Sequence, residues 1–257
     1  MSKTFCDMHI HTKYSCDSTV DLETYCLKAI REGIGIICFT EHVDCNPNDD
    51  GYQYYNSENY FNEFYTVKEK YGRKLTILSG IEFAGPHTYP EILSYYSSLN
   101  YDYIMSTIHF WYENMYPNVM LDAGISTKMC YEYYWEEVLK AVIAGGFDCL
   151  GHMDFPIRSY KQLVFDPDKI AEIFREMIDK NISLEINTSS LRHNLAETMP
   201  GKELLSIYRD CGGRYVTTGS DTHIPDDLSY GYQYVKNLIG HFGFKEVYYR
   251  GRIPIEL

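Results

Sequence analysis

The sequence predicts an α/β fold in which parallel strands and helices close into a barrel. Short β-like runs alternate with helical patterns along the 257-residue chain, and this alternation is typical of parallel strands covered by helices. The alternation repeats about seven times, which favours a closed barrel over an open sheet. No linker or internal repeat interrupts the chain, so residues 1–257 are predicted to form a single domain.

The strands are predicted from short runs of apolar or alternating residues that end at turn residues. Seven strong runs lie at 5–10, 35–40, 75–83, 101–109, 147–152, 182–187 and 213–221. A weaker eighth run lies at 245–250.

The helical patterns between the runs begin and end at typical capping residues. The pattern at 21–33 begins at Asp21, a preferred N-cap, and ends at Gly33. Longer patterns at 126–146 and 166–181 carry apolar residues at helical spacing.

Side chains with useful chemistry follow the predicted strands. In a barrel of parallel strands, functional groups lie at the carboxyl ends of the strands. The residues that meet this condition are His9, His11, Glu41, His42, Glu82, His109, His152, Asp221 and His223. They include six of the nine histidines of the chain, which indicates a functional site at this end of the barrel.

Two pairs of residues have the spacing of metal ligands. His9 and His11 lie two apart on the first strand, and Asp221 and His223 lie two apart at the end of the seventh. Residues two apart on a strand point to the same face. One such pair is as often an ordinary buried pair as a ligand pair, but these two pairs become neighbours when the barrel closes.

The remaining candidates have alternative explanations. Glu82 follows a buried run, so it forms either a core salt bridge or a bridge between two metals. His109 and His152, taken alone, would be hydrogen-bonded core histidines, and their position beside the other groups favours ligation. Asp17 is otherwise explained as a solvated or helix-capping residue.

Composition excludes several classes of protein. The net charge is −13 and the Lys and Arg residues are dispersed, so no nucleic-acid partner is expected. No apolar stretch suits a signal peptide or a membrane span. Eight cysteines without a CxxC pair predict reduced thiols in the cytoplasm, several of them filling core space. No GxSxG elbow, P-loop or dinucleotide fingerprint is present.

Six motifs, in their order and spacing, resemble the PHP superfamily (polymerase and histidinol phosphatase). They are HIHTKYSCD, FTEH, GIEF, STIHF, GHMDF and GSDTH, and they extend from residue 5 to about residue 225. The chain is most similar to the stand-alone histidinol-phosphate phosphatases. This resemblance implies a distorted (β/α)7 TIM-like barrel with a three-metal site.

The resemblance also implies the ligands of three divalent ions. The first ion would be held by His9, His11, Glu82 and Asp221, the second by Glu82, His109 and His152, and the third by Asp17, His42 and His223. Some relatives have a histidine at the position of Asp17, so the match is to the branch that carries aspartate. Mixed histidine and carboxylate ligands suit zinc, manganese or iron.

Two arginines are implied to bind the substrate. HMDFPIRSY and EINTSSLRHN resemble substrate-contacting segments of the family, which makes Arg158 and Arg192 the candidates. Both follow predicted strands closely, and the alternative for each is an exposed arginine on a loop. Asp154 and His193 lie nearby, and their roles are left open.

The implied reaction is hydrolysis of L-histidinol phosphate, a step of histidine biosynthesis, with Glu82, Arg158 and Arg192 as catalytic residues. The attacking group would be a hydroxide that bridges the two metals joined by Glu82, because metal coordination lowers the pKa of water to about 7. Three divalent ions and three ligand carboxylates leave the site at about +3, which attracts a phosphate to an acidic protein. An acidic, tyrosine-rich rim at 44–65, including Asp49 and Asp50, would bind the ammonium and imidazole groups.

Three alternative functions compete with this one. A phosphoesterase acting on nucleotides or other small phosphates would use the same barrel and is the runner-up. A non-catalytic scaffold would be expected to have lost ligands, whereas all nine positions carry coordinating side chains. An amidohydrolase-type barrel would require a carboxylated lysine or a different order of histidines.

Overall fold

The computed structural model describes residues 5–257 and contains one sheet in which the strands follow their order in the chain. Strands β1 to β8 pair in parallel, and β9 pairs antiparallel with β8. The strands are β1 (Phe5–Ile10), β2 (Ile34–Val43), β3 (Thr76–Ala84), β4 (Tyr103–Thr107), β5 (Cys149–Leu150), β6 (Ser183–Asn187), β7 (Tyr215–Gly219), β8 (Lys245–Arg250) and β9 (Ile253–Glu256).

Helices fill the connections between the parallel strands, as the alternating pattern predicts. They are α1 (Leu22–Glu32), α2 (Ser57–Tyr71), α3 (Pro90–Ser97), α4 (Pro117–Asp122), α5 (Thr127–Ala144), α6 (Ile157–Tyr160), α7 (Pro167–Asp179), α8 (Ser189–Arg192), α9 (Lys202–Asp210) and α10 (Tyr232–Phe242), with a 3-10 turn at Pro225–Asp227. Helix α1 ends at Gly33, as predicted, because glycine tolerates the φ of 73° there. Asp21 precedes this helix, but its carboxylate binds Nζ of Lys13 at 2.6 Å instead of capping the backbone.

The sheet closes into a barrel at the carboxyl ends of its strands. The N–H of Asp221 donates to the carbonyl of His9 at 2.8 Å, and the N–H of His11 donates to the carbonyl of Thr222 at 2.9 Å. At the opposite end, the first two residues of β7 pair with β8 instead. The ring therefore closes over β1 to β7 at one end and is distorted by β8 at the other. This arrangement confirms the predicted fold class, while the domain bounds 1–257 stay a prediction.

The interior of the barrel has an apolar layer below a polar one. The apolar layer is formed by Cys6, Met8, Ile36, Cys38, Leu78, Tyr103, Met105, Cys149, Val247 and Tyr249. Side chains alternate along a strand, so Glu82 lies on the same face of β3 as Leu78, nearer the carboxyl end. A larger apolar cluster fills the space between the sheet and the helices. The polar side chains of the site are thus supported by a dry, packed floor.

Strand β1 departs from regular alternation, and this departure positions both of its histidines. The pairing register with β2 shifts just before Ile10. Met8 packs inside the barrel, whereas Ile10 packs in the outer cluster. Because of this shift, His9 and His11 both face Glu82. Their Nε2 atoms lie 3.3 and 3.4 Å from Oε2 of Glu82.

Some boundaries differ from the prediction. Strand β5 covers only two residues, because the N–H of His152 donates to the carboxylate of Glu185 at 2.8 Å instead of to a neighbouring strand. The weak run at 245–250 forms β8, and the sequence pattern does not reveal β9. Within residues 5–257, no helix is both long and apolar enough to cross a membrane.

Candidate metal centre

The structure brings together the nine side chains that the sequence nominates as metal ligands. They are His9, His11, Asp17, His42, Glu82, His109, His152, Asp221 and His223. Six of them are buried, two are partly buried and the side chain of Asp17 is 50% exposed. The convergence expected of a closed barrel is therefore observed, and the assignment of ligand roles stays a prediction.

Glu82 lies at the centre of this cluster, and its two oxygens face different histidines. Oε2 lies 3.3 Å from Nε2 of His9 and 3.4 Å from Nε2 of His11. Oε1 lies 2.9 Å from Nε2 of His152 and 3.4 Å from Nε2 of His109. Among the described residues its ion-pair partners are all histidines, so no Lys or Arg salt bridge explains its burial. Each oxygen of such a carboxylate can serve a separate cation.

Four groups of three potential ligand atoms lie within 4.8 Å of one another in the described chain. These groups are His9 with His11 and Asp221, Glu82 with His109 and His152, His11 with His42 and His223, and His42 with Asp44 and His109. The first two match ligand sets implied by the resemblance. Beside the third group, Oδ2 of Asp17 lies 3.0 Å from Nε2 of His223 and 3.5 Å from Nε2 of His42.

Buried nitrogen atoms without hydrogen-bond partners show that the cluster suits cations. Nε2 of His11, Nδ1 of His42 and Nε2 of His223 are buried and make no hydrogen bond of good geometry within residues 5–257, although a carboxylate oxygen lies 3.0 Å from each of the last two. Buried polar atoms are normally satisfied, and a divalent ion would satisfy the lone pairs of these atoms. The mixed nitrogen and oxygen donors therefore fit divalent metal ions.

The pKa shifts of Glu82 and His11 favour the forms that coordinate metals, whereas the pKa values of His9, His42 and His109 are raised because neighbouring carboxylates outweigh burial. Burial would raise the pKa of Glu82, but the neighbouring His42 and His9 hold that pKa well below its usual range. Burial, followed by the charge of His42, holds the pKa of His11 well below its usual value. An ionised carboxylate and a neutral imidazole are the forms that coordinate metals.

Asp221 joins the cluster to a partly buried arginine. Its φ of 55° lies in the left-handed region, which aspartate tolerates better than most residues. Oδ1 lies 3.5 Å from Nε2 of His11, and Oδ2 accepts a hydrogen bond from Nη2 of Arg158. Burial would raise the pKa of Asp221, but Arg158 and His9 hold it well below its usual range.

The two predicted arginines occupy different positions. Arg158 lines the cavity above the cluster, and its Nη2 also donates to Oγ of Ser189 at 2.5 Å. Arg192 donates to the backbone carbonyls of Ser220 and Asp221 at 2.8 and 3.0 Å. Arg192 does not belong to the cavity lining found in the described chain. Its contact with substrate stays a prediction, whereas its hold on the backbone of Asp221 is observed.

A cavity of about 610 Å³ lies above the cluster, a size typical of small-molecule sites. Its acidic lining residues include Asp44, Asp49 and Asp50, so the acidic part of the predicted rim does face the site. The tyrosines of that rim lie elsewhere, since Tyr52 and Tyr55 line a neighbouring pocket. Tyr55 packs there against Tyr60 and Tyr96, away from the cavity over the predicted ligands.

Several buried acids near the cluster receive no ligand role from the motifs, although Glu41 is among the strand-end candidates. Glu185 on β6 is 1% exposed and contacts His9. Glu41 accepts the N–H and the hydroxyl of Thr12 at 3.0 and 2.7 Å and so fixes the loop after β1. Asp44, 7% exposed, lies beside two predicted ligands. The available signal for Glu185 is an acid inside an apolar strand, which is the same signal that singles out Glu82.

The two residues whose roles were left open also lie near the site. Asp154 is buried, neither of its oxygens has a hydrogen-bond partner within residues 5–257, and burial raises its pKa to about 7. Burial and the charge of Arg158 lower the pKa of His193.

The barrel and its cluster define a class of protein, the α/β barrels that carry histidine and carboxylate side chains suited to divalent metals at the carboxyl ends of their strands. The PHP domain family model matches residues 7–189, and the chain belongs to this family. The resemblance to this family is thereby confirmed, and five of the six motifs lie within the matched residues.

Similar proteins cover almost the whole chain. A probable histidinol-phosphatase from Clostridium acetobutylicum is 27% identical, over 96% of this chain and 97% of its own length. A histidinol-phosphatase from Lactococcus lactis subsp. lactis is 24% identical, over 94% and 92% of the two chains. The crystal structure of histidinol phosphate phosphatase from the same organism, complexed with zinc, L-histidinol and phosphate, has a TM-score of 0.85 and 26% identity, over 98% and 99% of the chains.

Proposed function

We propose that the chain is a metal-dependent phosphomonoesterase that hydrolyses L-histidinol phosphate to L-histidinol and inorganic phosphate. The observation that carries this proposal is the position of Glu82, whose oxygens face two sets of histidines below a cavity lined by Arg158. In the reaction, the P–O ester bond breaks, water supplies the new oxygen on phosphorus, and the alcohol oxygen gains a proton. The similar histidinol-phosphatases support this choice of substrate.

We assign three divalent ions to the cluster, in the ligand sets that the resemblance implies. Glu82 would belong to the first two sets, and Asp17 to the third, more exposed one. When bound, such ions lower the pKa of water and neutralise charge on a phosphate. Zinc, manganese and iron all suit these ligands, and the zinc in the related Lactococcus structure favours zinc.

Arg158 would bind the phosphate group. Its contacts with Ser189 and Asp221 fix the guanidinium before any substrate arrives, which reduces the entropy lost on binding. Its Nε is buried and has no hydrogen-bond partner in the described chain. A guanidinium matches two phosphate oxygens at once, which a lysine cannot do.

The acidic wall of the cavity, formed by Asp44, Asp49 and Asp50, would bind the cationic end of the substrate. Asp44 is 7% exposed, and its Oδ1 lies 3.8 Å from Nδ1 of His109 without a hydrogen-bond partner in residues 5–257. Burial, and then the charge of Asp44, raise the pKa of Asp49, a cost that a cationic ligand would relieve. A substrate with phosphate at one end and an ammonium group at the other therefore matches the charges of the cavity.

The test compares substrates on the metal-loaded protein. We expect kcat/KM for L-histidinol phosphate to exceed that for nucleoside monophosphates by at least about 100-fold. Equal or higher values for the nucleotides would favour the runner-up function, and no phosphate release from any ester would overturn both. The eight free thiols and a small-metabolite substrate support a cytoplasmic location, which is part of the proposal.

A further inference from the structure

Glu185 is a buried carboxylate that contacts two predicted metal ligands. It lies on β6 and is 1% exposed. Its Oε1 lies 2.6 Å from Nδ1 of His9, on the side of the ring opposite the nitrogen that faces Glu82. Its Oε2 accepts the backbone N–H of His152 at 2.8 Å. One side chain therefore contacts a ligand from the first implied set and the backbone of a ligand from the second.

The burial of this carboxylate requires an explanation. Removing an ionised carboxylate from water is costly unless it is paired and hydrogen-bonded. Among the described residues the ion-pair partner of Glu185 is His9, and Nδ2 of Asn187 donates to Oε2 at 3.2 Å. Every contact of the carboxylate thus lies at the polar layer of the barrel, and none is made with a lysine or arginine in residues 5–257.

The neighbouring strands are shaped to admit the side chain. A Cβ at Gly219, on β7, would overlap Oε1 of Glu185 and would lie 2.5 Å from Cβ of His9. A Cβ at Gly151, just after β5, would lie 3.3 Å from Oε2. Glycines on both sides therefore leave room for the carboxylate between the strands that carry the predicted ligands.

We propose that Glu185 is a positioning residue that sets metal affinity at the two positions joined by Glu82. It holds the ring of His9 so that Nε2 faces the first position, and it holds the backbone that presents His152 to the second. A carboxylate on the outer nitrogen of a ligating histidine fixes the tautomer and raises the basicity of the ring, and its loss lowers metal affinity by about 10- to 100-fold. This inference rests on the metal site of the proposed function but not on the choice of substrate.

The test measures metal affinity without substrate. Zinc and manganese are titrated separately into the chelator-stripped protein against a chromophoric competitor, for the wild type and for Glu185→Gln. We expect affinity to fall by about 10- to 100-fold for two ions per chain.

The matched control is Glu246→Gln. Glu246 is also a buried acid of the barrel, 5% exposed, and it accepts from Oγ1 of Thr218 at 2.8 Å and from Nζ of Lys236 at 2.7 Å. This change should lower the stability of the metal-free protein and leave metal affinity unchanged. If Glu185→Gln does not fold, Glu185→Asp retains the charge at a shorter reach and should show the same loss of affinity.

One result would overturn the inference alone, and a second would overturn it together with the proposed function. If the wild type binds metals and hydrolyses the ester, but the Glu185 variants bind metals as tightly as Glu246→Gln, then the positioning role is wrong and the proposed function stands. If the wild type binds no divalent metal, both are wrong.

Discussion

Oε1 of Glu82 lies 2.9 Å from Nε2 of His152, although β3 and β5 are not neighbours in the sheet. The carboxylate therefore reaches across the barrel interior while its other oxygen faces His9 and His11. The first and second of the three implied metal positions therefore both depend on Glu82.

Replacing Glu82 with glutamine should lower both metal content and activity. The amide removes the negative charge from the centre of the cluster, so we expect fewer ions per chain and a fall in kcat/KM of at least about 100-fold, equivalent to about 3 kcal/mol. Elemental analysis and phosphate release provide the two measurements. Glu172→Gln, on the exposed face of α7, is the control, and a Glu82 variant with full metal content would contradict the assignment.

Removing the metals should abolish activity and lower the melting temperature together. Each ion present at about 100 times its dissociation constant adds about 2.7 kcal/mol to the free energy of unfolding. We therefore expect chelation to lower Tm by several degrees and to abolish phosphate release, and zinc or manganese to restore both. The measurements are thermal unfolding and a phosphate assay before and after chelation. Full activity in a protein shown by elemental analysis to lack metal would exclude a metal-dependent reaction.

The two arginines should differ in what their loss changes. Arg158→Lys loses paired donation to a phosphate, so KM and the inhibition constant of inorganic phosphate should rise by about 10-fold or more. Arg192→Lys loses the hydrogen bonds to the carbonyls of Ser220 and Asp221. We therefore expect this change to lower metal content and stability more than it changes KM. Steady-state kinetics with elemental analysis separates these effects. A rise in the phosphate inhibition constant for Arg192→Lys at full metal content would instead support direct substrate contact.

The acidic wall should govern recognition of the cationic end of the substrate. Asp49→Asn should raise KM for L-histidinol phosphate by about 10-fold, because a charged hydrogen bond contributes about 1.5–3 kcal/mol. KM for phenyl phosphate, which has no cationic group, should change little. Asp210→Asn, on the exposed surface of α9, is the control. Unchanged KM values for both substrates in the Asp49, Asp50 and Asp44 variants would show that the wall has no role in recognition.

The pair formed by His87 and Glu137 should make the stability of the fold depend on pH. Nε2 of His87 lies 2.6 Å from Oε2 of Glu137, and this contact, with Lys140, lowers the pKa of Glu137 from 4.5 to about 2. A lowered acid pKa stabilises the fold above the unfolded-state value and is lost as the pH falls from about 4.5 towards 2. Because the pair is partly exposed, we expect about 1 kcal/mol at pH 7.

Glu137→Gln should therefore destabilise the protein at pH 7, with a difference from the wild type that shrinks below about pH 4.5. Chemical denaturation of both proteins across this pH range is the measurement. A difference that grows as the medium becomes more acidic would contradict the assigned pair. Metal loss in acid affects both proteins equally and cancels in the comparison.

The sequence predicts which residues lie at the carboxyl ends of the strands. It does not predict the orientation of side chains that is decided by packing against neighbouring strands. His109, His152 and Glu82 are predictable because a parallel barrel brings all carboxyl strand ends to one place. Glu185 is not predicted, since its role depends on space left by glycines of neighbouring strands. Arg192 has the expected position along the chain, but its guanidinium is directed to the backbone by carbonyl groups that no spacing rule locates.

The tyrosines of 52–65 illustrate a further limit. Their abundance beside acidic residues predicts a common rim, yet Tyr55 is 9% exposed and its hydroxyl lies 2.6 Å from that of Tyr101. Burial of large aromatic surface outweighs any local pattern of polarity. Asp49 and Asp50, which precede them, stay at least partly exposed and line the cavity.

The hydrogen bond from the N–H of Asp221 to the carbonyl of His9 lies at the seam where the cylinder of strands meets itself. Ions held by side chains from both edges of that seam would act as a clasp, so that parting the edges would require their release. Slow amide exchange at the seam and slow metal dissociation would then report the same opening event.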